Sequence, residues 1–235
     1  VSSLYNQRSS IPEISEFLSK CFIPCTAAGG IKTNEDIERA LLNGFDRVSI
    51  NSEYIKNTSI LKEISSNFGS STIVVGVDIV KVEEKYKICS NYGKLVHDKD
   101  LINYLQSIEY NGAGEIFLTS VDRDGTMSSP DMELINMVSN TVAIPVTYGG
   151  GISCAEDIAS IYKSGIDSVS ISSLFHYATI EYLKKEEDIN PSHKGNRRFL
   201  NNSFLSSNIT KGLELSELKK QLKAIGVPTL SLIHI

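Results

Sequence analysis

Two segments of this chain repeat each other without a gap. Ile23–Ser52 and Ile144–Ser173 align at a constant offset of 121 residues (23 to 144). Identical pairs include Pro24/Pro145, Thr26/Thr147, Gly29/Gly150, Gly30/Gly151, Ile31/Ile152, Glu35/Glu156, Asp36/Asp157, Gly44/Gly165, Asp46/Asp167, Ser49/Ser170 and Ser52/Ser173. Such self-similarity means that one structural unit occurs twice. Each copy reads as a short apolar strand after a proline, a glycine-rich turn, a helix and a Val/Ser/Ile strand. Thr33 with Asp36, and Ser153 with Glu156, predict the helix starts. Gly44 and Gly165 predict the helix ends.

Between the copies, Thr72–Asp78 and Glu115–Val121 predict strands. Leu101–Tyr110 predicts a helix, with Leu101, Ile102, Leu105 and Ile108 on one face. Tyr86–Val96 predicts a small hairpin that turns near Asn91–Gly93. Alternating strands and helices indicate an α/β fold with a parallel sheet. An eightfold barrel uses roughly 250 residues, so four of its units take roughly 125. The offset of 121 (23 to 144) therefore predicts two halves of a TIM (β/α)8 barrel. A doubly wound sheet gives no reason for a half-molecule repeat. Strands are predicted near 22–27, 46–50, 72–78, 115–121, 144–148 and 168–172. On this count the first strand, the first helix and most of the second strand would precede Val1. Residues 1–235 read as one partial barrel domain. Glu186–Thr210 reads as an inserted polar loop, and Leu213–Ala224 as the last outer helix.

Composition narrows the function classes. Hydrophobic residues at 41% and charged residues at 22% suit a packed core rather than a disordered chain. No apolar run approaches the roughly 20 residues of a membrane helix. The net charge is −5 and no basic tract stands out, which argues against a nucleic-acid partner. Cys21 and Cys25 flank a strand-like segment with no second ligand pair. Together with Cys89 and Cys154 they read as buried thiols of a reducing compartment. His97, His193 and His234 fall in loop or tail contexts, and His176 in a loop after the last strand, so no metal site is expected. A cytoplasmic location is expected.

In such barrels the active site lies at the C-terminal ends of the strands. Gly29-Gly30 and Gly150-Gly151 fall there, just before helix N-termini, where backbone N–H groups approach phosphate oxygens. The following strands end in Asn51-Ser52 and Ser172-Ser173, which add short polar donors. A Gly-Gly pair also serves plain turn geometry; the matched duplication favours a ligand with a phosphate at each end. Asp78 ends an apolar strand and reads either as a general acid or base at the barrel mouth or as a loop cap. Its half-barrel mate would lie before Val1. Asp122-Arg123-Asp124-Gly125-Thr126 reads either as a phosphate- and hydroxyl-binding loop or as an Asp/Gly turn.

These residues carry a family resemblance. GGI at Gly29, DRVSINS at Asp46–Ser52, GSSTIVVGVD at Gly69–Asp78, GAGEIFLTSVDRDGT at Gly112–Thr126, GGGI at Gly149–Ile152 and SSLFH at Ser172–His176 resemble the HisF family. That family comprises the cyclase subunits of imidazole glycerol phosphate synthase. The resemblance implies a lyase of histidine biosynthesis. Its substrate is a bis-phosphorylated ribulosyl aminoimidazole carboxamide nucleotide, whose imidazole ring it closes with ammonia. It implies no cofactor. Asp78 matches one of two catalytic aspartates; the other has no counterpart here. Phosphate contacts fall on Gly30, Asn51 and Ser52 in one half, and on Gly125, Gly151 and Ser173 in the other, with Asp124 beside the substrate. A glutaminase subunit would dock on the N-terminal face and deliver ammonia through a charged gate. Glu115 matches one gate residue, Arg47 replaces the usual lysine, and Asp46 matches a position near that partner.

Three departures accompany the resemblance. The first turn reads AAGG, the DRDGT motif continues as MSSPD, and an insertion follows Tyr177. With Tyr148 in the second turn, they resemble divergent members from surface-polysaccharide pathways, where either the ring-forming substrate differs or ammonia serves another amidation. The sister aminoaldose–ketose isomerase, with the same half-barrel repeat, and a non-catalytic phosphate-binding subunit are the other readings.

Overall fold

A computed structural model describes residues 16, 18–20, 22–51, 54–55, 59–91, 93–185 and 212–229. The elements run β1 (Thr26–Ala28), α1 (Asn34–Leu42), β2 (Arg47–Ile50), α2 (Ile60–Phe68), β3 (Ile73–Val82), β4 (Lys85–Ser90) and β5 (Leu95–His97). They continue α3 (Leu101–Tyr110), β6 (Glu115–Ser120), α4 (Met132–Ser139), β7 (Val146–Gly149), α5 (Ala155–Lys163), β8 (Ser168–Ser170), α6 (Ser173–Lys185) and α7 (Leu215–Ala224). The parallel sheet runs β1-β2-β3-β6-β7-β8, and β4 and β5 pair antiparallel off β3. Strands of one direction with helices between them make this an α/β barrel fold. Among the described residues β1 and β8 are the two ends of the sheet.

Alternation along the strands separates two faces. Val48, Ile50, Val75, Val77, Ile116, Leu118, Val146 and Tyr148 are buried in one cluster with helix residues such as Ile37, Leu61, Leu105, Leu134 and Ile158. Toward the C-terminal ends the intervening positions are mostly small or polar, namely Ser49, Gly76, Thr119, Gly149 and Ser170, with the larger Phe117 among them. The hydrophobic effect thus holds the helices to the outer face and leaves the inner face for chemistry.

The repeat persists as hydrogen bonds. Asp46 accepts from Cys25 N at 2.7 Å, and its mate Asp167 from Val146 N at 3.0 Å. Asp36 accepts from Lys32 N at 3.0 Å, and its mate Asp157 from Ser153 N at 2.9 Å. Each matched aspartate pins either the start of a strand or the turn before a helix. Gly44 and Gly165 follow the last turns of α1 and α5 with φ of 97° and 84°.

Several expectations need correction. The first strand begins at Thr26; Phe22 lies before it and is 99% exposed. β3 extends to Val82, because the chain reverses at Glu83 and Glu84 rather than at Asp78. On α3, Tyr104 is buried in place of Ile102, one position round the helix. Thr33 and Asp36 form the expected capping box. In the second copy Cys154 is the N-cap and makes no cap bond, because Ser153 gives both N–H and hydroxyl to Asp157. Cys25 and Cys154 are half-buried rather than buried. His176 sits on α6 and His97 in β5, neither in a loop. The polar segment 186–210, Cys21, His193 and His234 lie outside the described residues. No helix among the described residues is long and apolar enough to cross a membrane.

Candidate active site

A cavity of about 700 Å³ opens at the C-terminal ends of the strands. Gly30, Asn51, Asp78, Asp124, Gly125, Gly151 and Ser173 all line it. They come from six separate connections or strand ends, which only the curl of the sheet brings together. Ser52 lies outside the described residues.

Asp78 is central. It pairs with Thr119 on β6 and Cys89 on β4, and Asn51 Nδ2 donates to Asp78 Oδ2 at 2.9 Å. Gly76 makes that approach possible, since a Cβ there would stand 3.2 Å from Asn51 Nδ2. Burial raises the Asp78 carboxyl above the ordinary carboxylate range. Hydrogen bonds from Asn51 and Thr119 oppose the shift, and the nearby Asp124 charge adds to it. Asn51 Oδ1 is buried without a hydrogen-bond partner among the described residues, an acceptor left for a ligand N–H or O–H. The Cys89 thiol is pushed up to about 11, by burial first and the Asp78 charge second, so it is no nucleophile at neutral pH.

The second glycine turn is tied to the loop after β6. Gly151 has φ of 78°, and a Cβ on it would meet Ser129 O at 2.3 Å. Ser129 N donates to Gly151 O at 2.9 Å, which ties the loop after β6 to the second turn. That bond is why Asp124 and Gly125 reach the same cavity as Gly151. The loop is fixed from its other side too. Lys81 N donates to Asp122 at 2.6 Å, Tyr86 OH donates to Asp131 at 2.8 Å, and Asp131 N donates to the buried Tyr148 hydroxyl at 3.0 Å.

Arg47 and Glu115 lie at the opposite, N-terminal ends of β2 and β6, where the Arg47 guanidinium bonds Glu115 Oε2 across β3. Asp46 directly precedes Arg47, is exposed, and accepts from Cys25 N. Sequence reasoning missed Lys32, Ser90, His97 and Thr119, which also line the cavity. Ser90 is buried and its hydroxyl lies 2.9 Å from His97 Nε2. Alternation within the hairpin was the available signal for that pair.

A parallel barrel sheet whose strand-end cavity is lined by a half-buried carboxylate and two glycine-rich helix-start turns defines a class: α/β barrel proteins with a site at the C-terminal ends of the strands. Comparison with known proteins narrows the class. A family model described as "Histidine biosynthesis protein" matches residues 2–181. The imidazole glycerol phosphate synthase subunit HisF of Campylobacter concisus is 37% identical over 174 residues, covering 74% of this chain and 69% of its own. Its counterpart in Dictyoglomus thermophilum is 37% identical over 180 residues, covering 74% and 71%. That of Chlorobaculum tepidum is 34% identical over 186 residues, covering 79% and 74%. The chain belongs to the histidine biosynthesis protein family and is HisF-like within it.

Proposed function

We propose that this chain is the ammonia-using cyclase of imidazole glycerol phosphate synthase, a lyase of histidine biosynthesis. It closes the imidazole ring of the bis-phosphorylated ribulosyl aminoimidazole carboxamide nucleotide. The products are imidazole glycerol phosphate and aminoimidazole carboxamide ribotide. The observation that carries the reading is the single cavity with Asp78 between two duplicated glycine turns. Asp78 exchanges protons with the substrate as general acid or base, and its raised pKa brings it closer to working pH. Gly30, Asn51 and Ser52 hold one phosphate; Gly125, Gly151 and Ser173 hold the other; Asp124 meets the substrate between them. The reading calls for no metal or cofactor.

A glutaminase subunit docks at the N-terminal face near Asp46 and supplies ammonia past Arg47 and Glu115. A cytoplasmic location goes with this reading. The test is turnover of the bisphosphate nucleotide with ammonium at alkaline pH by the full-length gene product, without glutaminase. Wild type is expected to release both products, and Asp78→Asn to lose a factor of about 10² to 10⁴. Turnover of the aminoaldose precursor instead would make the chain the sister isomerase. Bisphosphate binding without either reaction would favour the polysaccharide amidation branch or a binding subunit.

A further inference from the structure

The cavity reaches deep into the barrel. Besides the mouth residues it is lined by Ser49, Gly76, Phe117, Gly149 and Ser170, one inner layer further down. Two residues further down their strands the inward positions are Thr26, Arg47, Val74, Glu115, Thr147 and Ser168, and the register sets Thr147 opposite Phe117 and diagonal to Glu115. Arg47, Glu115 and Ser168 are the first residues of their strands. Among the described residues, these side chains lie between the cavity and the N-terminal ends of the strands.

Glu115 is the bridge among them. Its Oε2 takes the Arg47 guanidinium, and its Oε1 accepts the Thr147 hydroxyl at 2.6 Å. The Thr147 oxygen is in turn hydrogen-bonded to the Ser168 hydroxyl. The repeat explains the asymmetry. Thr147 is the mate of Thr26, but Ser168 stands where the first half carries Arg47. The shorter side chain lets Thr147 turn toward Glu115 instead of facing a second cation.

We infer that Thr147, backed by Ser168, is a latch that holds Glu115 across the floor of the cavity. This rests on the ammonia-using reading above. Passage of ammonia from the N-terminal face requires Glu115 to swing, which breaks the Thr147 bond while Arg47 can follow the carboxylate. An ammonia N–H then takes the place of the Thr147 hydroxyl on Oε1, so the carboxylate is never left unpaired. Thr147 is thus a positioning residue for the gate, acting through Glu115.

The experiment compares wild type, Thr147→Val and Thr147→Ser in the ammonium-driven reaction of the full-length gene product. The bisphosphate is held saturating so that it fills the mouth. Removing a hydrogen bond to a charged group shifts the latch by about tenfold. Thr147→Val is expected to lower the KM for ammonium by about that factor, with kcat and the KM for bisphosphate unchanged. Thr147→Ser, which keeps the hydroxyl, is expected to match wild type. An ammonium KM that stays the same or rises in Thr147→Val overturns the latch. So does a change in both KM values together, which marks a structural role. Wild type that binds bisphosphate but makes no product from ammonium overturns the ring-closing reading and the latch with it.

Discussion

At the scale of single residues, the chemistry concentrates on Asp78. Its carboxyl is raised by burial, so the folded protein favours the protonated form more than the unfolded chain does. Stability from this group is present below the unfolded carboxylate pKa and is lost as pH rises through the higher folded value. Asp78→Asn removes the charge, and Asn51 Nδ2 still has an oxygen to meet. The variant is therefore expected to melt higher than wild type at neutral pH. The gap should close as pH falls toward the ordinary carboxylate range. Thermal melts across that range check it, and a variant that melts lower at neutral pH would refute the placement. Asp78 was legible as a strand-end carboxylate from its apolar run alone. Its bond to Asn51 was not, because that contact crosses between neighbouring strands and depends on the β2–β3 register. The Thr147–Glu115 bond was illegible for a related reason: it needs the β6–β7 register that sets Thr147 opposite Phe117 and so diagonal to Glu115.

At the scale of elements, the second glycine turn hangs on Asp157, which takes both the N–H and the hydroxyl of Ser153 at 2.9 and 2.8 Å. Asp157→Ala is expected to cost about 1 kcal/mol, the usual cost of a lost helix-start acceptor. It should weaken bisphosphate binding as well, since the turn and α5 move together; urea unfolding and calorimetry read the two effects. The bounds of α3 were legible because Asp100 caps a run with one apolar stripe. The hairpin was legible from its Asn-Tyr-Gly turn. The overrun of β3 was not, because its reversal uses Glu83 and Glu84 at positive φ, where glycine or asparagine is the usual signal. Helices α2, α4 and α6 also escaped the reading. α6 starts directly after β8 and is weakly amphipathic, so its run of Leu, Phe, His and Tyr resembles a strand end as much as a helix.

At the scale of the whole molecule, the duplication is the organising fact: two halves place two like turns on opposite sides of one carboxylate. The halves meet where β2 pairs with β3, and the neighbouring β3–β6 pair runs through six parallel partners, from Val74↔Glu115 to Ile79↔Ser120. Ile116 is fully buried between that sheet and the helices. Ile116→Ala is expected to destabilise the fold by about 2 to 5 kcal/mol, read as a shift in the urea midpoint. The half-repeat was legible in full from sequence, and with it the fold class. The central claim is that each half holds one end of a two-phosphate ligand. Calorimetric titration with the two proposed monophosphate products, against Ser52→Ala and its repeat mate Ser173→Ala, tests it most directly. The account predicts that each variant weakens a different product and that both weaken the bisphosphate. Equal weakening of both products by either variant, or no weakening by either, would contradict it.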